Sequence, residues 1–154
     1  MPHRRWSHLS KKMSLRVCLP LLSSLLACAG GTGARLPQAP DRAEIVMEEF
    51  AFSAPAELRS GRVVFHARNS GEMRHELILI SIPPGVPSLG EQLQSEERRA
   101  TTTLSVIPPQ EPGGETIFAL DLEPGRYGLL CFLRGGGDKT PHALRGMHAE
   151  FRVL

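Results

Sequence analysis

Downstream of residue 43, the apolar residues of this chain alternate in short runs, each cut off by glycine or proline. A two-residue period suits strands with one buried face and leaves little room for long helices. Arg62 to Arg68 is the cleanest case, with Val63, Phe65 and Ala67 on one face and Val64, His66 and Arg68 on the other. Glu115 to Leu122 groups Thr116, Phe118, Leu120 and Leu122; Arg126 to Phe132 groups Tyr127, Leu129 and Cys131; His148 to Leu154 groups Ala149, Phe151 and Val153. Ile45 to Phe52 reads as one further strand, Thr101 to Ile107 as another, and Pro55 to Leu58 as a short extended piece. Glu76 to Ile82 is a dense apolar run, which predicts a strand covered on both sides. Asn69-Ser70-Gly71 and Glu123-Pro124-Gly125 are turn signals, and Pro108-Pro109 with Pro112-Gly113-Gly114 predicts a loop. Only residues 88–99 break the theme: Ser88 followed by Glu91 has the form of a capping box, so a short helical insertion is expected there. About eight strands and one short helix predict an all-β, antiparallel sandwich of roughly 110 residues.

The first third of the chain does not belong to that sandwich. Residues 1–16 carry Arg4, Arg5, Lys11, Lys12 and Arg16 and no acid, and Val17 to Ala27 is an apolar run too short to span a bilayer. A basic segment, a short apolar core and small residues at its end describe an export signal over residues 1–27, for which Met13 is an alternative start. Leu25-Leu26-Ala27-Cys28 resembles a bacterial lipobox, which implies lipidation of Cys28 and anchoring to a membrane. An ordinary cleaved signal or an uncut anchor is the alternative. Residues 28–42 are rich in Gly, Ala and Pro and read as a flexible tether, followed by one domain over residues 43–154. The expected location is therefore the periplasm or the cell surface.

Removal of the leader changes the charge. The chain has 18 Lys and Arg against 16 Asp and Glu; from Cys28 onward 13 bases face 16 acids, a net charge of −3. No basic run remains to attract nucleic acid. Cys18 leaves with the leader and Cys28 is the lipidation candidate, so Cys131 has no intramolecular partner and a disulfide framework is excluded. A lone thiol outside the cytosol is open to oxidation unless it is buried or bound.

Around that thiol the spacing is informative. Ten residues separate Cys131 from His142, four separate His142 from Met147, and His75 lies upstream behind Asn69-Ser70-Gly71-Glu72-Met73-Arg74. One thiolate, two imidazoles and a thioether form a soft donor set. It suits copper cycling between Cu(I) and Cu(II), as in sites with two histidines, a cysteine and a weak axial methionine. Taken singly, each residue has an ordinary reading: Cys131 and Met147 as core, His75 and His142 as loop residues. His66 and His148 are expected on the surface. No P-loop, His-Glu-x-x-His or paired-carboxylate signature appears, so no enzymatic activity is expected.

Three segments resemble the cupredoxins, the blue-copper family. Asn69-x-Gly71-x-x-x-His75 resembles the turn that delivers the first histidine ligand. Pro124-Gly125-Arg126-Tyr127-x-Leu129-x-Cys131 resembles the strand that delivers the thiolate, and His142-x-x-x-x-Met147 resembles the second histidine and axial thioether. The resemblance implies a Greek-key β-sandwich holding one type 1 copper on His75, Cys131, His142 and Met147, with His142 presenting its edge to solvent. It further implies an electron carrier working with redox partner proteins of the cell envelope, as a monomer.

Two positions depart from the family pattern. The Cys131–His142 gap is long, and an extended loop of ten residues reaches about 30 Å; Gly135-Gly136-Gly137 makes the necessary reversal feasible. Glu76 follows His75 where many relatives carry Asn. The competing readings are a copper storage or delivery protein with a more open site, and a metal-free interaction module that kept the fold.

Overall fold

The computed structural model describes residues 39–95, 101–135, 137 and 139–154. The expected export signal, Cys28, most of the expected tether, the end of the 88–99 segment and Gly136 lie outside the described residues. Among the described residues no helix is long and apolar enough to cross a membrane.

Among the described residues nine strands form two sheets. One sheet holds β1 (Asp41–Glu48), β2 (Ala51–Ser53), β4 (Gly61–Asn69) and β7 (Glu115–Leu122), in the order β2-β1-β4-β7. The other holds β3 (Glu57–Leu58), β5 (His75–Ile82), β6 (Thr102–Gln110), β8 (Gly125–Leu130) and β9 (His148–Val153), in the order β3-β9-β8-β5-β6. The alternation anticipated from sequence is what fills the space between them. Val63, Phe65 and Ala67 of β4 meet Leu77 and Leu79 of β5, Tyr127 and Leu129 of β8, and Phe151 and Val153 of β9 in one buried cluster. Phe65 stacks on Phe118 at 5.0 Å, and Tyr127 on Phe151 at 5.4 Å. Burial of each such large side chain contributes about 1.5–3 kcal/mol. The Tyr127 hydroxyl donates to Glu123 O at 2.7 Å, which ties β8 to the turn before it and satisfies the polar end of a buried ring.

The expected two-sided burial of the β5 strand is met by a helix. α1 (Leu89–Gln94) is capped by Ser88, whose hydroxyl accepts from Glu91 N while Glu91 accepts from Ser88 N. Leu89 lies on Ile80, Ile82 and Leu130, forming a second cluster on the outer face of the sheet. Gly128 of β8 leaves room for it: a Cβ there would collide with Leu89 Cδ1 and stand 3.3 Å from Ile80 Cγ1. Gly128→Val should therefore unseat α1 and cost about 1–3 kcal/mol, read as a lowered denaturation midpoint.

Three features differ from the sequence reading. Ile45 to Phe52 is two strands, because the chain reverses at Glu49-Phe50 and pairs Glu48 with Ala51. Pro108 and Pro109 lie inside β6 instead of in a loop; β6 is a sheet edge, and both fall at a register shift between the Leu77–Ile107 and His75–Gln110 pairs, where no ladder N–H is required. The sheets are mixed, since β1 runs parallel to β4 and β3 parallel to β9.

Candidate metal centre

The candidate donors gather at one end of the second sheet. His75 opens β5, Cys131 follows the last residue of β8, and Met147 precedes the first residue of β9. These three strands are neighbours, so the ladder itself sets the spacing. Cys131 N donates to Met147 O at 3.3 Å, continuing the pairing of Leu130 with His148.

His142 reaches the same place by a fold-back. Arg134 bridges Pro141, His142 N donates to Leu133 O at 2.8 Å, and Ala143 N donates to Cys131 O at 2.7 Å. The long Cys–His segment thus closes at its base, and its length never separates the two donors. A 3₁₀ turn over His142–Arg145 follows, and Met147 N donates to His142 O at 2.9 Å. Ala143 packs into the cluster beneath α1, so the helical insertion buttresses this turn.

His75 Nδ1 stands 3.2 Å from His142 Nδ1, and Cys131 Sγ stands 3.6 Å from His142 Nδ1. One donor atom from each residue falls within 4.8 Å of the others, and all three residues are buried. Donors about 2.0 Å (N) and 2.3 Å (S) from a shared trigonal centre lie roughly 3.5 Å apart, so the cluster fits a single ion held by two imidazoles and a thiolate. Met147 is fully buried beside them.

The electrostatics suit such a set. Burial pushes the Cys131 thiol above its usual range, while the backbone N–H groups of Glu76 and Leu133 pull the other way by favouring thiolate. Without a cation the sulfur is thus held as thiol, and a bound metal ion supplies the charge that releases its proton. Burial also lowers the His75 pKa, helped by His142 and opposed by Glu49, so the ring is kept neutral and ready to donate a lone pair.

Two further residues hold the frame. Asn69 is fully buried; its Nδ2 donates to Met73 O at 2.8 Å and to Gln110 O at 3.0 Å, and its Oδ1 accepts from Gly71 N at 3.0 Å. It thereby fixes the turn that ends in His75. Glu76 braces the other side, accepting from Phe132 N at 2.9 Å next to the cysteine.

No protein-family model matches the chain, and no curated protein does. Solved structures do. An auracyanin from the photosynthetic bacterium Roseiflexus castenholzii, reduced with dithionite, aligns with a TM-score of 0.51 at 18% identity over 76% of this chain and 99% of that one. Auracyanin B aligns with a TM-score of 0.51 at 17% identity over 76% and 91%. Auracyanin A, a "blue" copper protein from the green thermophilic photosynthetic bacterium Chloroflexus aurantiacus, aligns with a TM-score of 0.50 at 16% identity over 75% and 100%. The chain has the cupredoxin fold.

Within that cupredoxin fold, two expectations fail. His142 does not present its edge to solvent; it is 1% exposed. The Phe50 ring meets its imidazole edge-on at 5.1 Å, the Arg145 guanidinium lies 3.5 Å over Phe50, and Gly135 backs against His142 Nε2. His148 is half-buried beside Gly90 of α1 instead of on the surface, and His66 faces Glu115 across the strands at 3.1 Å. Glu49 and Phe50 escaped the sequence reading, because nothing in their local pattern marks a residue that acts on the far end of the other sheet.

Proposed function

We propose that this chain is a type 1 copper electron-transfer protein of the bacterial cell envelope, exported by its leader and lipid-anchored through Cys28. The observation that carries the reading is the convergence of His75 Nδ1, Cys131 Sγ and His142 Nδ1 in one buried cluster. His75 and His142 would hold the copper as neutral imidazoles, Cys131 as thiolate and Met147 as a weak thioether donor. The copper supplies a one-electron couple. The sheet ladder and the closed base of the 131–142 segment hold the donors still, so little rearrangement accompanies a change of oxidation state. Among the described residues the three donors are buried and Phe50 covers His142, which favours a carrier over an enzyme. Its partners are redox proteins of the envelope, met as a monomer.

Loading the purified protein with Cu(II) should give an intense visible thiolate-to-copper band, and Cys131→Ser should abolish it while the far-UV spectrum stays that of a β-protein. A colourless wild-type protein sinks the proposal. A coloured one that surrenders its metal at once to a mild chelator points to storage or delivery instead.

A further inference from the structure

The two-residue turn between β1 and β2 belongs to the sheet that carries no donor, yet it touches both histidines. Glu49 Oε1 accepts from Glu72 N at 2.5 Å and from Met73 N at 3.0 Å, and stands 3.7 Å from His75 Nε2. Phe50 meets the His142 ring at 5.1 Å with an interplanar angle of 88°. The turn also bears a backbone cost. Phe50 has φ of 60°, a conformation that bulky L residues seldom adopt and that costs about 1–2 kcal/mol. A Gly or Asn there would remove that cost, and with it the ring on His142. Gly71 is shaped to the same purpose: a Cβ there would lie 2.5 Å from Glu49 Oε1, so only glycine lets the carboxylate in beneath the turn that leads to His75.

We propose that Glu49 is a positioning residue for the donor cluster, setting the tautomer of His75 and, through it, the balance between copper's two oxidation states. The N–H groups of Glu72 and Met73 donate to its Oε1 and fasten the carboxylate beside the His75 ring. A carboxylate beside Nε2 favours the tautomer with the proton on Nε2, which leaves the Nδ1 lone pair of His75 facing the cluster. The 3.2 Å contact between the two Nδ1 atoms then needs the proton on His142, so without metal His142 donates and His75 accepts. With copper bound, the same carboxylate makes His75 a stronger donor and favours Cu(II).

The tautomer half of this inference stands without copper; the redox half rests on the function proposed above. Glu49→Gln keeps an oxygen for the N–H groups of Glu72 and Met73 and removes the charge. Gly71→Ala keeps the charge and displaces it. Long-range proton–nitrogen NMR on the metal-free protein, at a pH where both rings are neutral, should show His75 protonated at Nε2 in the wild type and a mixture of tautomers in both variants. In the copper-loaded proteins, both variants should shift the Cu(I)-to-Cu(II) affinity ratio about tenfold toward Cu(I), a rise of about 59 mV in potential. If His75 carries its proton on Nδ1 in the wild type, or if both variants match the wild type in tautomer and potential, the inference is overturned. A wild type that binds no copper overturns the function proposed above, while the NMR result still decides the role of Glu49.

Discussion

Copper should raise the melting temperature of this domain by about 15 °C or more, and a strong chelator should return it to the starting value. The size follows from mass action. An ion that binds only the folded chain, present at about a thousand times its dissociation constant, stabilises it by roughly 4 kcal/mol. For a domain of this size each kcal/mol moves the midpoint by about 4 °C or more. The donors already converge in the described fold, with nitrogen and sulfur 3.2 and 3.6 Å from His142 Nδ1, so little of that free energy is spent on organising them. Calorimetry with and without copper checks it, with Cys131→Ser as the control that should show almost no shift. Equal midpoints for the wild type in both conditions would defeat the metal-site reading whatever the colour of the sample.

Asn69→Leu should be the most damaging single change near the site. It is close in volume, yet it strips three backbone groups of their partners at once: Met73 O, Gln110 O and Gly71 N. A buried group left unpaired costs about 1–3 kcal/mol, so a loss of about 3 kcal/mol or more is expected, read as a lowered urea midpoint at unchanged slope. Because the released turn ends in His75, copper affinity should also fall more than tenfold. Asn69→Asp keeps the acceptor for Gly71 N and loses both donors, and should fall between wild type and Asn69→Leu. A wild-type midpoint for Asn69→Leu would mean that the turn is held by something other than this side chain.

Much of this architecture could be read from residues alone because burial in a sandwich writes itself as alternation. Val63, Phe65 and Ala67 announced their strand, and Ser88 with Glu91 announced the start of α1. The donors His75, Cys131 and His142 were legible for a chemical reason, since few other roles use that combination of side chains. What stayed hidden depends on contacts between distant segments. The Glu49-Phe50 reversal lacks the Asn-Gly or Asp-Gly pair that marks tight hairpins, and a bulky residue at positive φ is a poor advertisement for a turn. Parallel pairing of β1 with β4 leaves no local trace, because alternation reports a face and says nothing of a neighbour. The burial of His142 was invisible for the same reason: its cover comes from Phe50 on the opposite sheet.

The donors are not held alike. Of the four candidate donors, His75, Cys131 and Met147 stand at the ends of three neighbouring strands of one hydrogen-bonded lattice, like pegs on a rack, and move apart only if that lattice tears. The fourth rides on a single 3₁₀ turn fastened by a few main-chain bonds. An ion held there would meet three donors set by strand pairing and one set by loop closure, so a change within the 131–142 segment would move His142 and leave the rack in place.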